Sequence, residues 1–267
     1  MKPQLPVFPL IAILATVVLL SISPLNIETV YADATLTISN DAGYIDVSGY
    51  YRVLGELENV GDQAVEGWVV TTMFYNSSDD LIHTKVLISS KSAPYAVLNT
   101  INPGRKAPFE TVLEDTDLSS EVDHYSVTIT LYNSVAAKPL GLTILANHSR
   151  VDAFGNMIIN GTIRNTGTET AESVNIIATY YDAGGNVIAL SFTNTEPSSM
   201  EPSQTLPFQT ELASIGPYPI ADIESYALEA ESSQYALIPE FPSLLLLPFL
   251  ILSSLIATRI HKKRSSR

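Results

Sequence analysis

The chain predicts an all-β protein, two tandem antiparallel sandwiches set between an apolar leader and an apolar C-terminal tail. Three observations predict it. One register repeats at an interval of 106 residues, the segments inside each repeat are short and β-branched, and uncharged runs close both ends.

At the N-terminus, Lys2 precedes an apolar stretch from Val7 to Ile22, followed by Val30-Tyr31-Ala32-Asp33-Ala34. A basic start, an apolar run and small residues in an A-x-A-like arrangement describe a secretory signal peptide, here residues 1–32. An uncleaved signal anchor is the alternative, disfavoured by Pro9 and Pro24, which interrupt a helix. The mature chain is expected to start near Asp33.

The repeat comes next. A shift of 106 positions lays Leu36-Thr37-Ile38 on Leu142-Thr143-Ile144, Asp46 on Asp152, Gly49 on Gly155, Gly55 on Gly161, Asn59 on Asn165 and Gly61 on Gly167. Glu66 meets Glu172, and Phe74-Tyr75 meets Tyr180-Tyr181. After a loop seven residues shorter in the second copy, Pro103 meets Pro202, Pro108-Phe109 meets Pro207-Phe208, and Tyr125 corresponds to Tyr226. A register this long predicts two copies of one domain, 33–136 and 139–238, joined near Ala137-Lys138-Pro139.

Within each copy, Gly67 to Tyr75, Asp123 to Tyr132, Val174 to Tyr181 and Ile223 to Ala230 read as strands, rich in Val, Ile, Thr, Tyr and Phe. In Tyr125, Val127, Ile129 and Leu131 the apolar residues alternate with Ser126, Thr128 and Thr130, as a half-buried strand requires. Asn59 to Asp62 and Asn165 to Thr168 form one turn of each copy. Asn76 to Asp80 and Asp182 to Asn186 form the next, with Gly and Asn suited to positive φ. About seven short strands in ~100 residues, without helical periodicity, predict an immunoglobulin-like antiparallel sandwich.

The order Gly55, Asn59-x-Gly61, an apolar strand ending Phe74-Tyr75-Asn76, then Pro103-Gly104 and Phe109 resembles the FxLYD family of small extracytoplasmic β-sandwich domains. The second copy carries Gly161, Asn165-x-Gly167, Tyr180-Tyr181-Asp182 and Phe208. Asn76 stands where the family has Asp, and Ser203 replaces the Gly of Pro103-Gly104. The resemblance implies a fold rather than an activity, since the shared residues are mostly structural.

At the C-terminus, Pro239-Glu240-Phe241-Pro242 leads into an uncharged run from Ser243 to Thr258, then Arg259, Lys262, Lys263, Arg264 and Arg267. Phe241 to Ile260 matches the roughly 20 residues that cross a bilayer core, and Pro248 is tolerable in such a setting. A transmembrane helix at about 243–260 with its basic end in the cytoplasm would leave the preceding domains outside the cell membrane. Motif, helix and basic cluster together are similar to the PEF-type sorting tails of archaeal surface proteins, substrates of a sortase-like membrane transpeptidase, the archaeosortase. The resemblance covers 239–267 and implies Pro239, Glu240 and Phe241 as a sorting motif, with the helix exchanged for another anchor; a plain C-terminal anchor is the alternative.

Residues 33–238 hold 8 basic and 26 acidic side chains in a chain of net charge −14. Such a surface has nothing with which to replace phosphate counterions, so nucleic-acid binding is excluded. The absence of cysteine excludes disulfides, thiolate metal sites and cysteine nucleophiles. His83 in a strand, and His124 and His148 near strand starts, stand in no G-x-S-x-G, H-E-x-x-H or P-loop context. No catalytic, cofactor-binding or metal residue is therefore assigned, and no enzyme is expected. The acidic run Glu114-Asp115-x-Asp117, with Glu121 and Asp123, lacks the calcium-loop pattern and reads as a solvated loop. Phe74-Tyr75 and Tyr180-Tyr181 offer one ring each to the core and one to cross-strand packing, against a carbohydrate platform. Trp68 reads as core. In an extracellular chain Asn76, Asn147 and Asn160 become N-glycosylation acceptors, each opening an Asn-x-Ser/Thr sequon. The sequence thus leads to a surface module that meets a protein, a glycan or a surface layer, or serves as a spacer. An accessory or binding subunit of a membrane transporter or sensor is the second reading.

Overall fold

The computed structural model describes residues 35–89, 98–213 and 218–239, all within the unit Asp33–Arg267. The leader, Glu240, Phe241 and the C-terminal apolar run lie outside the described residues. Among the described residues no helix is long and apolar enough to cross a membrane.

The protein is mostly β, with strands paired almost throughout antiparallel. In the first half, β1 (Leu36–Ile45), β2 (Tyr51–Asn59) and β6 (Lys106–Leu113) form one sheet in the order β1-β2-β6. The other sheet centres on β3 (Ala64–Tyr75), flanked along one edge by β4 (Leu81–Ile88) and then β5 (Thr100–Ile101), and along the other edge by β7 (His124–Val135). Val53, Leu57, Ala107, Phe109 and Leu113 of the first sheet enclose a core with Val65, Trp68, Val70, Phe74 and Ile101 of the second. Trp68 is fully buried and its indole N–H donates to the Leu98 carbonyl at 3.0 Å.

The second half repeats the pairing with β8 (Leu140–Val151), β9 (Met157–Asn165) and β12 (Thr205–Leu212), in the order β8-β9-β12, and with β11 (Val187–Asn194), β10 (Asn175–Tyr181) and β13 (Ser225–Glu231), in the order β11-β10-β13. A short final strand, β14 (Ala236–Leu237), pairs antiparallel with β13 and parallel with β8, linking the two sheets into one of seven strands. The last strand of the second half therefore ends at Leu237, with one residue between it and Pro239, and later than the expected last strand Ile223 to Ala230.

The repeated residues make repeated contacts. Asn59 donates through Nδ2 to the Gln63 and Ile101 carbonyls, both at 2.8 Å, and accepts from the Gly61 amide at 3.0 Å. Asn165 does the same with Glu169, Met200 and Gly167. A Cβ on Gly55 would meet the Phe109 ring at 2.7 Å, and one on Gly161 would meet Phe208 at 2.3 Å, so both strands must run bare over an aromatic ring. Asn76 and Asp182 each accept two backbone amides across their turns, and the far ends carry Asp80 and Asn186. Asn and Asp have thus changed places between the copies while the turn is kept, because either side-chain oxygen closes it.

Two local expectations change. The acidic run is not a loop: Asp115 caps a short helix, α1 (Thr116–Glu121), its carboxylate accepting from the Asp117 and Leu118 amides at 3.0 Å. In the second half a 3-10 turn at Ile220–Asp222 precedes β13 in the same way. The alternation of β7 holds through Ile129 and then shifts, since the ladder slips between Val69 and Val70 and again between Glu66 and Val69, next to Gly67 at φ +64°. The slip leaves Leu131 56% exposed and packs Tyr132 on the core instead.

Candidate functional site

The feature that most sets this chain apart from two beads on a string is a seam between its halves. The outer face of β1-β2-β6 lies against the outer face of β11-β10-β13. Leu54 of β2 is fully buried there among Val187, Leu190, Tyr44, Tyr181 and Tyr218, and Ile177 of β10 joins the first half's core cluster. Residue 54 points away from its own core, which Val53 and Leu57 face, so only the partner half can cover it.

Charge completes the seam. Glu56, 2% exposed, accepts from the Tyr181 hydroxyl at 2.6 Å, from Lys106 at 2.9 Å and from the Asn40 amide at 2.9 Å. Arg105 pairs with Glu229, and Lys138 with Glu231, across the same boundary. Glu231 also accepts from the Asn99 and Thr100 amides at 2.8 and 3.2 Å. Arg52 bridges Asp46 and Glu110, both at 2.6 Å, and Glu110 accepts from the Tyr218 hydroxyl at 3.1 Å. A buried charge is tolerable only when it is paired, and each carboxylate here has at least one cationic partner.

Burial, then the neighbouring Glu56 carboxylate, pushes the Tyr181 phenol well above its ordinary value, so it stays a donor. Burial raises the Glu229 carboxyl against the pull of Arg105. The joint itself is clamped: the Lys138 amide donates to Asn102 Oδ1 at 2.9 Å, Asn102 Nδ2 donates to the Lys138 carbonyl at 2.8 Å, and the Lys138 ammonium also reaches the Ser232 carbonyl at 2.9 Å.

The sequence names Tyr181 only for cross-strand packing and Lys138 only for the joint, and gives the other seam residues no such role, though a signal existed. Val53-Leu54-Gly55-Glu56-Leu57 and Asn175-Ile176-Ile177-Ala178 lack the alternation of a strand with one wet face.

Other expected positions fall as follows. Pro239 follows β14 and lines a cleft of about 520 Å³ with Arg105, Asn147, Tyr226 and Glu229; Glu240 and Phe241 lie outside the described residues. The cleft's polar groups are engaged with one another, Arg105 with Glu229 and the Tyr226 hydroxyl with Asn147 Oδ1 at 2.7 Å. Of the sequons, Asn147 is exposed on β8, Asn160 is half-buried on the outer face of β9, and Asn76 is half-buried with its side-chain oxygen held in a turn. His83 lies beside Phe74, and His124 stacks on Tyr75 with ring centroids 5.0 Å apart. His148 is exposed well inside β8, not near its start. Tyr180 is buried with its hydroxyl 2.9 Å from Ser191 Oγ. Among the described residues no group of three or more His, Cys, Asp or Glu could hold a metal ion.

No family model and no curated protein matches the chain. Among solved structures it is similar to the Amycolatopsis orientalis exo-chitosanase CsxA, at 14% identity and TM-score 0.26, over 75% of this chain and 26% of that one. It is also similar to red sea bream transglutaminase, at 9% identity and TM-score 0.23, over 78% of this chain and 31% of that one. The chain spans about a quarter to a third of the length of these proteins, and likeness at that level carries no functional argument.

Proposed function

We propose that the chain is a cell-surface protein, held to the membrane through its C-terminal tail, that presents two non-enzymatic immunoglobulin-like sandwiches of FxLYD type to a protein or glycan partner or as a spacer. The observation that carries the reading is the tail. Pro239 leaves the fold directly after β14, and the sequence beyond it has the length, apolarity and basic end of a membrane span. The seam favours the same reading: it fixes two domains into one unit, as a spacer or a presenting platform needs. The residues Pro239-Glu240-Phe241 then serve as a sorting motif for a sortase-like enzyme.

Intact-mass analysis of the protein recovered from its own cell envelope tests this. A mature chain starting near Asp33 and ending close to Phe241, still partitioning with membranes, is the expected result. A membrane-bound chain ending at Arg267 refutes sorting and leaves a plain anchor. A full-length chain recovered from the soluble fraction refutes the anchor as well.

A further inference from the structure

The seam uses one sheet face from each half, and the repeat supplies the counterpart of each face, which no other described strand covers. The counterpart of the β11-β10-β13 face is the outer face of β4-β3-β7. Along β3 it carries Val69, Thr71, Met73 and Tyr75, where the seam has Asn175, Ile177, Thr179 and Tyr181. Its neighbours in the ladder are Ile88 and Leu131 beside Val69, Val86 and Thr128 beside Thr71, and Thr84 and Ser126 beside Met73.

Two properties distinguish this face. Leu81, Val86, Ile88 and Leu131 are 54, 52, 56 and 56% exposed, four of the twelve large exposed apolar residues among those described. They share one sheet face rather than being scattered, which marks an interaction surface. Secondly, the interior of the face carries no Asp, Glu, Lys or Arg, although the chain has a net charge of −14. The seam carboxylates Glu229 and Glu231 correspond by the repeat to Thr128 and Thr130. The charges that hold the seam together have been removed here.

We propose that this face docks on the same face of a second copy of the chain, in a two-fold arrangement. Charge decides between the two ways in which copies could meet. Continuing the internal packing would set the face on the outer face of β8-β9-β12, where Arg150, Arg164, His148 and Glu211 point outward. Those charges would be desolvated against threonine and valine with no partner. Face on itself buries no charge and matches aliphatic row to aliphatic row. It also brings two acidic chains together at a surface whose interior is free of carboxylates, Asp79 and Asp123 lying only at its Tyr75 end, beside His124. Three strands at ~4.8 Å spacing and seven residues at ~3.3 Å rise give a face of roughly 350 Å² in plan, which supports a weak, reversible dimer rather than an obligate one.

The chain contains no cysteine, so single thiols can be placed at will. Packed sheets stand about 10 Å apart, too far for a disulfide at the face centre but within reach of a short bis-maleimide. The full-length chain in its membrane, carrying Thr71→Cys, is treated with that reagent beside Thr162→Cys on the outer face of β9. Thr71→Cys is expected to give dimer at least roughly tenfold faster than Thr162→Cys, the effective-concentration advantage of docked faces. Adding Ile88→Asp and Leu131→Asp, both at exposed positions, is expected to abolish that advantage with the β-sheet circular dichroism unchanged. Equal rates at the two sites overturn the proposal. So does cross-linking that needs Thr71→Cys and Thr162→Cys together, which would indicate a head-to-tail array. Dimer yield from Thr71→Cys that survives the two aspartates also refutes it.

Discussion

Replacing Leu54 by alanine separates a protein with a seam from two independent domains. The side chain is fully buried, yet it projects from the outer face of β2, away from the core lined by Val53 and Leu57. Without the seam it would be a surface leucine, and its truncation would cost within ~0.5 kcal/mol of nothing. With the seam, Leu→Ala removes the transfer free energy of the buried side chain and leaves a cavity, a loss of 2–5 kcal/mol in closed cores. Two domains can settle towards each other more easily than one core can collapse, so the lower end applies, about 2–3 kcal/mol. In a folded region of this size each kcal/mol lowers Tm by about 2–4 °C, which predicts a fall of roughly 4–12 °C. Urea and thermal unfolding are the assays, with two controls. Val53→Ala should destabilise on either picture, and Asn160→Ala, at the position equivalent to Leu54 in the second half, should be near neutral. A Leu54→Ala protein within ~0.5 kcal/mol of wild type, beside a clearly destabilised Val53→Ala, would refute the seam.

Three further outcomes follow from the repeat and its charges. Asn59→Ala and Asn165→Ala each delete three hydrogen bonds of the same geometry from a buried position, and each should cost about 2–4 kcal/mol in urea unfolding. A large inequality between them would break the equivalence of the halves. Ser203 sits at φ 67° where its counterpart Gly104 has φ 70°, so Ser203→Gly should stabilise by up to ~1 kcal/mol and Gly104→Ser should destabilise by a similar amount. The carboxyl of Asp46 is pushed up by burial but pulled further down by hydrogen bonds from Tyr50, Arg52 and Ser48, and its net shift is below the ordinary 3.8. A carboxylate with a lowered folded-state pKa stabilises above its unfolded value, and that contribution is lost as pH falls through the folded one. The stability gap between wild type and Asp46→Asn should therefore be widest at neutral pH and narrow below about pH 3.8; a gap constant with pH would contradict it.

What the sequence determined by itself was what a residue type at a repeated position fixes. The turns closed by Asn76 and Asp182, the Asn59 and Asn165 networks and the bare glycines over Phe109 and Phe208 each depend on a residue type at a fixed spacing. The register, 106 residues before the shortened loop and 99 at the phenylalanines beyond it, therefore carried them directly into matching geometry. Helix α1 was missed although Asp115 is a good cap, because six residues are too few for a periodic pattern to outweigh an acidic run. The slip in β7 was invisible as well, since alternation is a property of one strand and a bulge is a property of two. Only the tertiary structure decided which outer faces are covered. Leu54 and Leu131 are the same residue type, both pointing outward from β-sheets of the first half, and one is fully buried while the other is 56% exposed. The difference lies in what stands opposite, and the chain near Leu54 does not contain Val187, Leu190 or Tyr181, which bury it from more than a hundred residues away.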